Sequence, residues 1–290
     1  MNVFRKAEDM QAYSLKKRKE GKSIGFVPTM GYLHEGHIHL IRKARQTDDI
    51  VVLSIFVNPL QFGPSEDFER YPRDEKRDLE MAEQEKVDAV FIPDTKEMYP
   101  GPMSIQLTVR DRTDVLCGKS REGHFDGVAT VLTKLFHLTQ PNRAYFGLKD
   151  AQQVAVVDAL IHDLNFPIEL VPVPTVREED GLAKSSRNVY LNGEERKQAP
   201  YLFKALEHGR FLVRNGVNNR ETIINEVRNF IKEHTHGKID YVDLLTYPEL
   251  KPLDEIDERV ILAAAVYFDN ARLIDNLIFH PDGELTYDLK

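Results

Sequence analysis

Two rhythms of apolar residues alternate along the first 175 positions. Short unbroken runs appear at Ile24 to Thr29, Ile50 to Val57, Val87 to Ile92, Arg143 to Phe146 and Ile168 to Val173. Between them lie stretches with apolar positions at helical spacing, such as Leu40, Ile41 and Ala44, or Val128, Val131, Leu132, Leu135 and Phe136. An unbroken β-branched run suits a strand buried on both faces, and the second spacing suits one face of a helix. The pattern predicts helices over 9–20, after Gly31, and over 74–86, 126–139 and 150–164. Proline punctuates the strands: Pro28 ends the first, Asn58-Pro59 stops the second and Pro93 the third. Such alternation predicts a parallel α/β domain whose binding loops lie at the carboxyl ends of its strands.

Beyond Val173 the style changes. Residues 174–193 lack periodicity and hold Pro174, Asp180-Gly181, Asn188 and Asn192-Gly193, which reads as a functional loop at a domain boundary. Helices are expected over 194–215 and 219–235, then strands near 239–246, 259–268 and 271–277. The expected division is an α/β domain over 1–175 and a smaller α+β domain over 176–290.

Composition narrows the function classes. The chain has 290 residues, 41% hydrophobic and 30% charged, with a formal net charge of -8. That balance argues against nucleic acid and against an anionic membrane surface as partners. No apolar run approaches the ~18 residues that suggest a membrane-spanning helix. The stretch from Met1 to Gly21 lacks a signal-peptide core, and the single cysteine, Cys117, rules out an intrachain disulfide. A cytoplasmic location is the expectation. Cys117 reads as an incidental thiol, His234 and His236 as a solvated helix end, and Lys16 to Lys22 as a solvated helix face.

Four segments carry candidate chemistry. The first is Pro28-Thr29-Met30-Gly31-Tyr32-Leu33-His34-Glu35-Gly36-His37, where a strand gives way to a helix. A helix N-terminus offers unpaired N–H groups and a positive dipole end, which favour phosphate. His34 and His37, three apart, can donate hydrogen bonds to phosphate oxygens, and Gly36 leaves room for a phosphate near the backbone. A metal reading of His34, His37 and His39 lacks Cys or acidic companions at ligand spacing. The second segment is Phe56 to Gly63, in which Asn58 and Gln61 present amides at a strand's carboxyl end. The third is Phe146-Gly147-Leu148-Lys149-Asp150-Ala151-Gln152-Gln153: Gly147 permits close backbone approach, Lys149 is a point charge for phosphate and Asp150 is placed to start a helix. The fourth is Val176 followed by Lys184-Ser185-Ser186-Arg187-Asn188, a basic, hydroxyl-rich loop able to neutralise a departing pyrophosphate. Taken singly, each also has a bland reading as a turn, a helix start or a solvated loop.

The His34-x-Gly36-His37 element resembles that of the nucleotidyltransferase superfamily, and the fourth segment resembles the Lys-Met-Ser-Lys-Ser loop of class I aminoacyl-tRNA synthetases. The four segments in this order, with Glu66-Asp67, Tyr71-Pro72-Arg73, His124 to Val128 and Val173 to Glu178 between them, resemble the pantothenate synthetase family from about residue 20 to 192. The resemblance implies a Rossmann-like first domain that binds ATP and pantoate and a C-terminal domain acting as a lid. It implies joining of (R)-pantoate to β-alanine through a pantoyl-adenylate, with ATP and Mg2+ required and AMP and pyrophosphate released. By resemblance ATP lies against Met30, Gly31, Tyr32, Leu33, His34, Glu35, Gly36, His37, Gly147, Leu148, Lys149, Asp150, Val176, Lys184, Ser185, Ser186 and Arg187. Pantoate lies against Gln61 and Gln153, with Asn58 nearby. By resemblance His37 carries the catalytic role; on residue chemistry His34 and His37 would stabilise charge on the α-phosphate, while Lys149, Ser185, Ser186 and Arg187 would hold the leaving phosphates. Asp78 is a possible metal-side carboxylate, and a homodimer is expected. Two other readings remain at this point: a nucleotidyltransferase that keeps the nucleotide on its product, and a non-catalytic nucleotide-binding protein.

Overall fold

The computed structural model describes residues 1–64 and 66–289; Lys290, which closes the second expected domain, lies outside the described residues. The chain divides into two compact units. The first holds Met1–Thr113, Gly118–Gly147 and Val156–Val173; the second holds Asp114–Cys117, Leu148–Ala155 and the chain from Pro174 onward.

The first unit is built on six parallel strands: β1 (Asn2–Phe4), β2 (Ile24–Thr29), β3 (Ile50–Ile55), β4 (Ala89–Phe91), β5 (Arg143–Gly147) and β6 (Glu169–Val173). Along this part of the chain run α1 (Ala7–Lys19), α2 (Glu35–Thr47), α3 (Glu75–Gln84), α4 (Thr95–Met98), α5 (Leu116–Ser120), α6 (His124–Thr139) and α7 (Ala151–Asp163). The α/β expectation holds, and each of the five predicted strands is present. Every residue of β3 is buried, as an unbroken apolar run requires, and Ile38, Leu40, Ile41 and Ala44 form the buried face of α2. β1 escaped the sequence pattern because three residues are too few to show a period; it pairs with β4 at the sheet edge.

The sheet order is β1-β4-β3-β2-β5-β6. Successive strands step one way from β2 to β4, and the chain then returns to add β5 on the other side of β2. The reversal therefore falls between β2 and β5, where open α/β sheets hold their ligands.

The expectation that Pro28 ends β2 does not hold: the residue lies inside the strand, opposite Ser54 of β3. β5 pairs with β2 only at Gly25 and Phe26. By Pro28 the β5 side of the strand has no ladder, so the missing N–H breaks nothing. The same early end of pairing leaves the carboxyl ends of β2 and β5 unzipped at the reversal point.

The second unit carries an antiparallel sheet, β7 (Lys238–Thr246), β8 (Val260–Tyr267) and β9 (Arg272–Phe279), in that order. Its helices are α8 (Gly193–Gln198), α9 (Tyr201–Arg214) and α10 (Arg220–His234). The single helix expected over 194–215 is two, because Pro200 at the start of α9 lacks the N–H that a continuous helix would need. The core joins Leu206, Ile223, Val227 and Ile231 to Val242, Leu262 and Ala264. No helix among the described residues is long and apolar enough to cross a membrane.

Candidate active site

The loop leaving β2 is held by side chains from its neighbours. The Thr29 hydroxyl donates to Ser54 O at 2.8 Å and accepts from the Gly31 N–H at 3.1 Å. Gly31 and Tyr32 both have positive φ, 84° and 50°. A Cβ on Gly31 would sit 2.9 Å from Ile55 Cγ2 and 3.0 Å from Asp78 Oδ2, so this turn requires glycine. Asp78, on α3 and 1% exposed, accepts the Tyr32 N–H on Oδ2 and the Leu33 N–H on Oδ1, each at 2.7 Å. Burial pushes its carboxyl above the ordinary range while those two bonds pull it down. Asp78, by resemblance a possible metal-side carboxylate, uses both of its oxygens to fasten the turn before α2.

His34 is the N-cap of α2. Its Nδ1 accepts the Gly36 N–H at 3.2 Å, and His37 Nδ1 accepts the His34 N–H at 3.3 Å. This is a reciprocal capping box made of imidazoles instead of hydroxyl and carboxylate. The rings lie 4.0 Å apart at 34°. Since both Nδ1 atoms accept from backbone, the proton of each neutral ring sits on Nε2. The sequence placed two histidines on a first turn; the structure adds that their tautomers are set by the helix they cap. Glu35 is drawn to Arg42, 2.8 Å from its Nη1, on the exposed side of the helix.

At the end of β3, the turn Pro59–Gln61 carries the two amides. Asn58 is 1% exposed, and all four of its hydrogen-bonding positions are taken up within the protein. Its Oδ1 accepts from Leu60 N–H (3.3 Å) and from the Tyr99 hydroxyl (2.8 Å). Its Nδ2 donates to Gly127 O (3.1 Å) and to Gln61 Oε1 (3.2 Å). Asn58 was expected beside the acid; its amide instead faces inward, to Gln61. Gln61 Nε2 donates to Met30 Sδ at 3.4 Å. The Gln61 carbonyl accepts from Arg121 Nη2 (3.3 Å) and lies 2.8 Å from His124 Nδ1. Burial would raise the Glu66 carboxyl, but the two-pronged pair with Arg121, at 2.6 Å on each oxygen, holds it below its ordinary range.

α6 approaches this turn through Gly127, where a Cβ would meet Leu60 O at 2.2 Å and Gln61 N at 2.7 Å. Both are backbone atoms, so Gly127→Ala must push the Gln61 turn away. We expect that variant to lose at least ~1–3 kcal/mol of stability, the usual cost of overpacking, and most of its turnover. Chemical denaturation and steady-state assay check this; wild-type values in both would show the turn to be yielding.

In the second unit, Leu148–Asp150 forms one 3-10 turn ahead of α7. Asn276 of β9 holds that turn by donating to Leu148 O (2.9 Å) and Lys149 O (3.0 Å). Lys149 Nζ lies 3.7 Å from Asp150 Oδ1. Gln153 is half-buried. The segment from Val176 is more ordered than a loop: Lys184 N–H donates to Val176 O at 2.9 Å, and Arg177 bridges Ala183. Arg177 also grips Asp275 of β9 at 2.6 and 3.0 Å, with its guanidinium 3.8 Å from the Phe203 ring centroid. Ser185 caps the short helix Ser186–Tyr190 by accepting the Arg187 N–H (3.3 Å), Ser186 is buried, and Lys184 lies 3.7 Å from Glu178. Neighbouring residues of β9 thus brace both basic segments of this unit.

The profile of the family described as pantoate-beta-alanine ligase matches residues 2–278. The chain belongs to the pantoate–β-alanine ligase family. Pantothenate synthetase from Geobacillus sp. (strain WCH70) is 64% identical over 277 residues, covering 96% of this chain and 98% of that protein. The crystal structure of pantothenate synthetase from Thermus thermophilus matches with a TM-score of 0.90 at 44% identity, over 96% of this chain and 99% of that one. The pantoate-beta-alanine ligase from Francisella tularensis, complexed with beta-gamma ATP and beta-alanine, matches at 0.79 and 33% identity, over 97% and 98%. As a pantoate–β-alanine ligase, the chain is an acid–amino acid ligase that forms pantothenate, as its sequence motifs implied.

In the first unit Met30, on the turn that leads into the His34–His37 box, meets Gln61, which in turn pairs with Asn58. The second braces Lys149 and the 176–187 segment through β9. The sequence reading missed Tyr99, Arg121, Asp275 and Asn276, none of which lies in a motif.

Proposed function

We propose that this ligase uses ATP to activate (R)-pantoate as pantoyl-adenylate and then transfers the acyl group to β-alanine, releasing AMP and pyrophosphate. The observation that carries the reading is the imidazole capping box at the β2–β5 reversal. It sets two rings at a helix N-terminus, each with its proton on Nε2. Such donors suit an α-phosphate that gains charge as the carboxylate attacks phosphorus. ATP is assigned to Met30 through His37, to Gly147 through Asp150, and to Val176 and Lys184 through Arg187. Lys149, Ser185, Ser186 and Arg187 hold the departing phosphates. Gln61 and Gln153 hold pantoate. A carboxylate resists attack by an amine; the adenylate supplies a good leaving group and has to be kept from water, a role we assign to the C-terminal domain. The ATP and β-alanine bound to the Francisella relative support the substrate assignment.

Magnesium belongs to the proposal as the counter-ion of ATP. Among the described residues the one group of three metal-ligating side chains is Glu195, His236 and Asp269. An imidazole with two carboxylates does not match an ion that prefers six oxygens, and both Asp78 oxygens hold backbone N–H groups. The ion is therefore assigned to phosphate oxygens and water. A cytoplasmic homodimer completes the proposal; sedimentation tests the dimer.

The deciding assay is exchange of labelled pyrophosphate into ATP. We expect exchange only when pantoate is present, and AMP in amounts equal to pantothenate when β-alanine is added. Exchange without pantoate, or a product that retains the nucleotide, would overturn the adenylate route.

A further inference from the structure

The Asn58–Gln61 contact fixes more than a position. The polarity of a side-chain amide is set only by partners that cannot exchange roles. Asn58 has two of them: Leu60 N–H can only donate and Gly127 C=O can only accept. These place Oδ1 and Nδ2 without ambiguity. The Tyr99 hydroxyl agrees, donating to Oδ1, and burial keeps that phenol protonated. With Nδ2 so placed, its remaining hydrogen must meet an acceptor, so Gln61 turns Oε1 toward Asn58. Gln61 Nε2 is then the end directed away from Asn58, and it reaches Met30 of the phosphate-binding motif. The polarity passes from backbone to Asn58 to Gln61, and none of it depends on a ligand.

We propose that Asn58 is a positioning residue that locks Gln61 as a hydrogen-bond donor, with Tyr99 holding the Asn58 carbonyl in place, so that the site selects an acid offering carboxylate or hydroxyl oxygens at that point. A flipped Gln61 would turn its carbonyl toward the anion, replacing an attraction by a repulsion. The inference rests on the assignment of Gln61 to pantoate made above.

Asn58→Asp tests the lock with little change of shape. The new carboxylate still accepts from Leu60 and Tyr99, but its second oxygen faces Gly127 O and Gln61 Oε1. Gln61 answers by turning its NH2 inward and its carbonyl outward. We expect KM for pantoate to rise at least ~10-fold, the size of one lost hydrogen bond to a charged acceptor, with KM for ATP unchanged. Combining Asn58→Asp with Gln61→Met separates a positional from a general effect. In the Gln61→Met background the further change should be absent, since no amide remains to orient. Tyr99→Phe, which keeps the ring 6.2 Å from Phe56, serves the same cycle should Asn58→Asp fail to fold; a smaller rise of about 3-fold is expected, from loss of one neutral hydrogen bond, again absent beside Gln61→Met. Equal effects with and without Gln61 would overturn the proposal, as would an equal rise in KM for ATP or no rise at all. Should Gln61→Met itself leave KM for pantoate unchanged, the assignment of Gln61 to the acid is what fails.

Discussion

His37→Ala is expected to slow pantoate-dependent pyrophosphate exchange by about 10^2- to 10^3-fold, the loss seen when one preorganised donor to a developing oxyanion is removed. The fold should survive. The His34 N–H loses its acceptor, which costs about 1 kcal/mol as for other lost caps, while Gly36 N–H keeps His34 Nδ1. The two nitrogens of His37 therefore have separable jobs: Nδ1 accepts from backbone and Nε2 bears the proton. His37→Gln retains an acceptor and a donor on one side chain, so it should restore much of the melting temperature and part of the rate. His34→Ala removes the N-cap itself and should lower both. A His37→Ala enzyme that exchanges pyrophosphate at the wild-type rate would remove His37 from the chemistry.

The histidine box was legible in the sequence because everything it needs is local: a strand end, a helix start and two rings three residues apart. Asn58 was half-legible. The sequence placed it correctly at a strand's carboxyl end and took its amide to face a substrate. The partners that turn it inward, Tyr99 and Gly127, lie 41 and 69 residues away along the chain, beyond the reach of any local pattern. Pro28 shows the complementary failure. The rule that proline stops a strand presumes that the ladder continues on both sides, and here the ladder to β5 has already ended. Asp275-Asn276 did leave a trace, a polar pair inside the apolar run from Leu273 to Phe279. Burying two such side chains would be costly without partners, and Arg177, Leu148 and Lys149 supply them. Buried polar residues in a strand pattern thus mark a brace, though not what is braced.

Asp78→Ala is expected to have the largest effect on stability. The carboxylate lies on α3, and it accepts two N–H groups from a turn with two successive positive φ angles. Leu33 is fully buried, so water cannot replace the carboxylate there. Truncation leaves two donors unsatisfied, at about 1–3 kcal/mol each. That is a large share of the ~5–15 kcal/mol by which a domain of this kind is stable. Asp78→Asn isolates the polarity of the interaction, because its carbonyl can accept one N–H while its NH2 opposes the other. Its loss should be about half that of Asp78→Ala. Denaturant midpoints measure both. Because the turn feeds directly into the His34 cap, any Asp78→Asn protein that remains folded should also show a raised KM for ATP. Were the two variants as stable as wild type with unchanged KM, the turn would be held by Gly31 and Thr29 alone. The resemblance had offered Asp78 as a possible metal-side carboxylate; its geometry makes it the group that fastens the turn before α2.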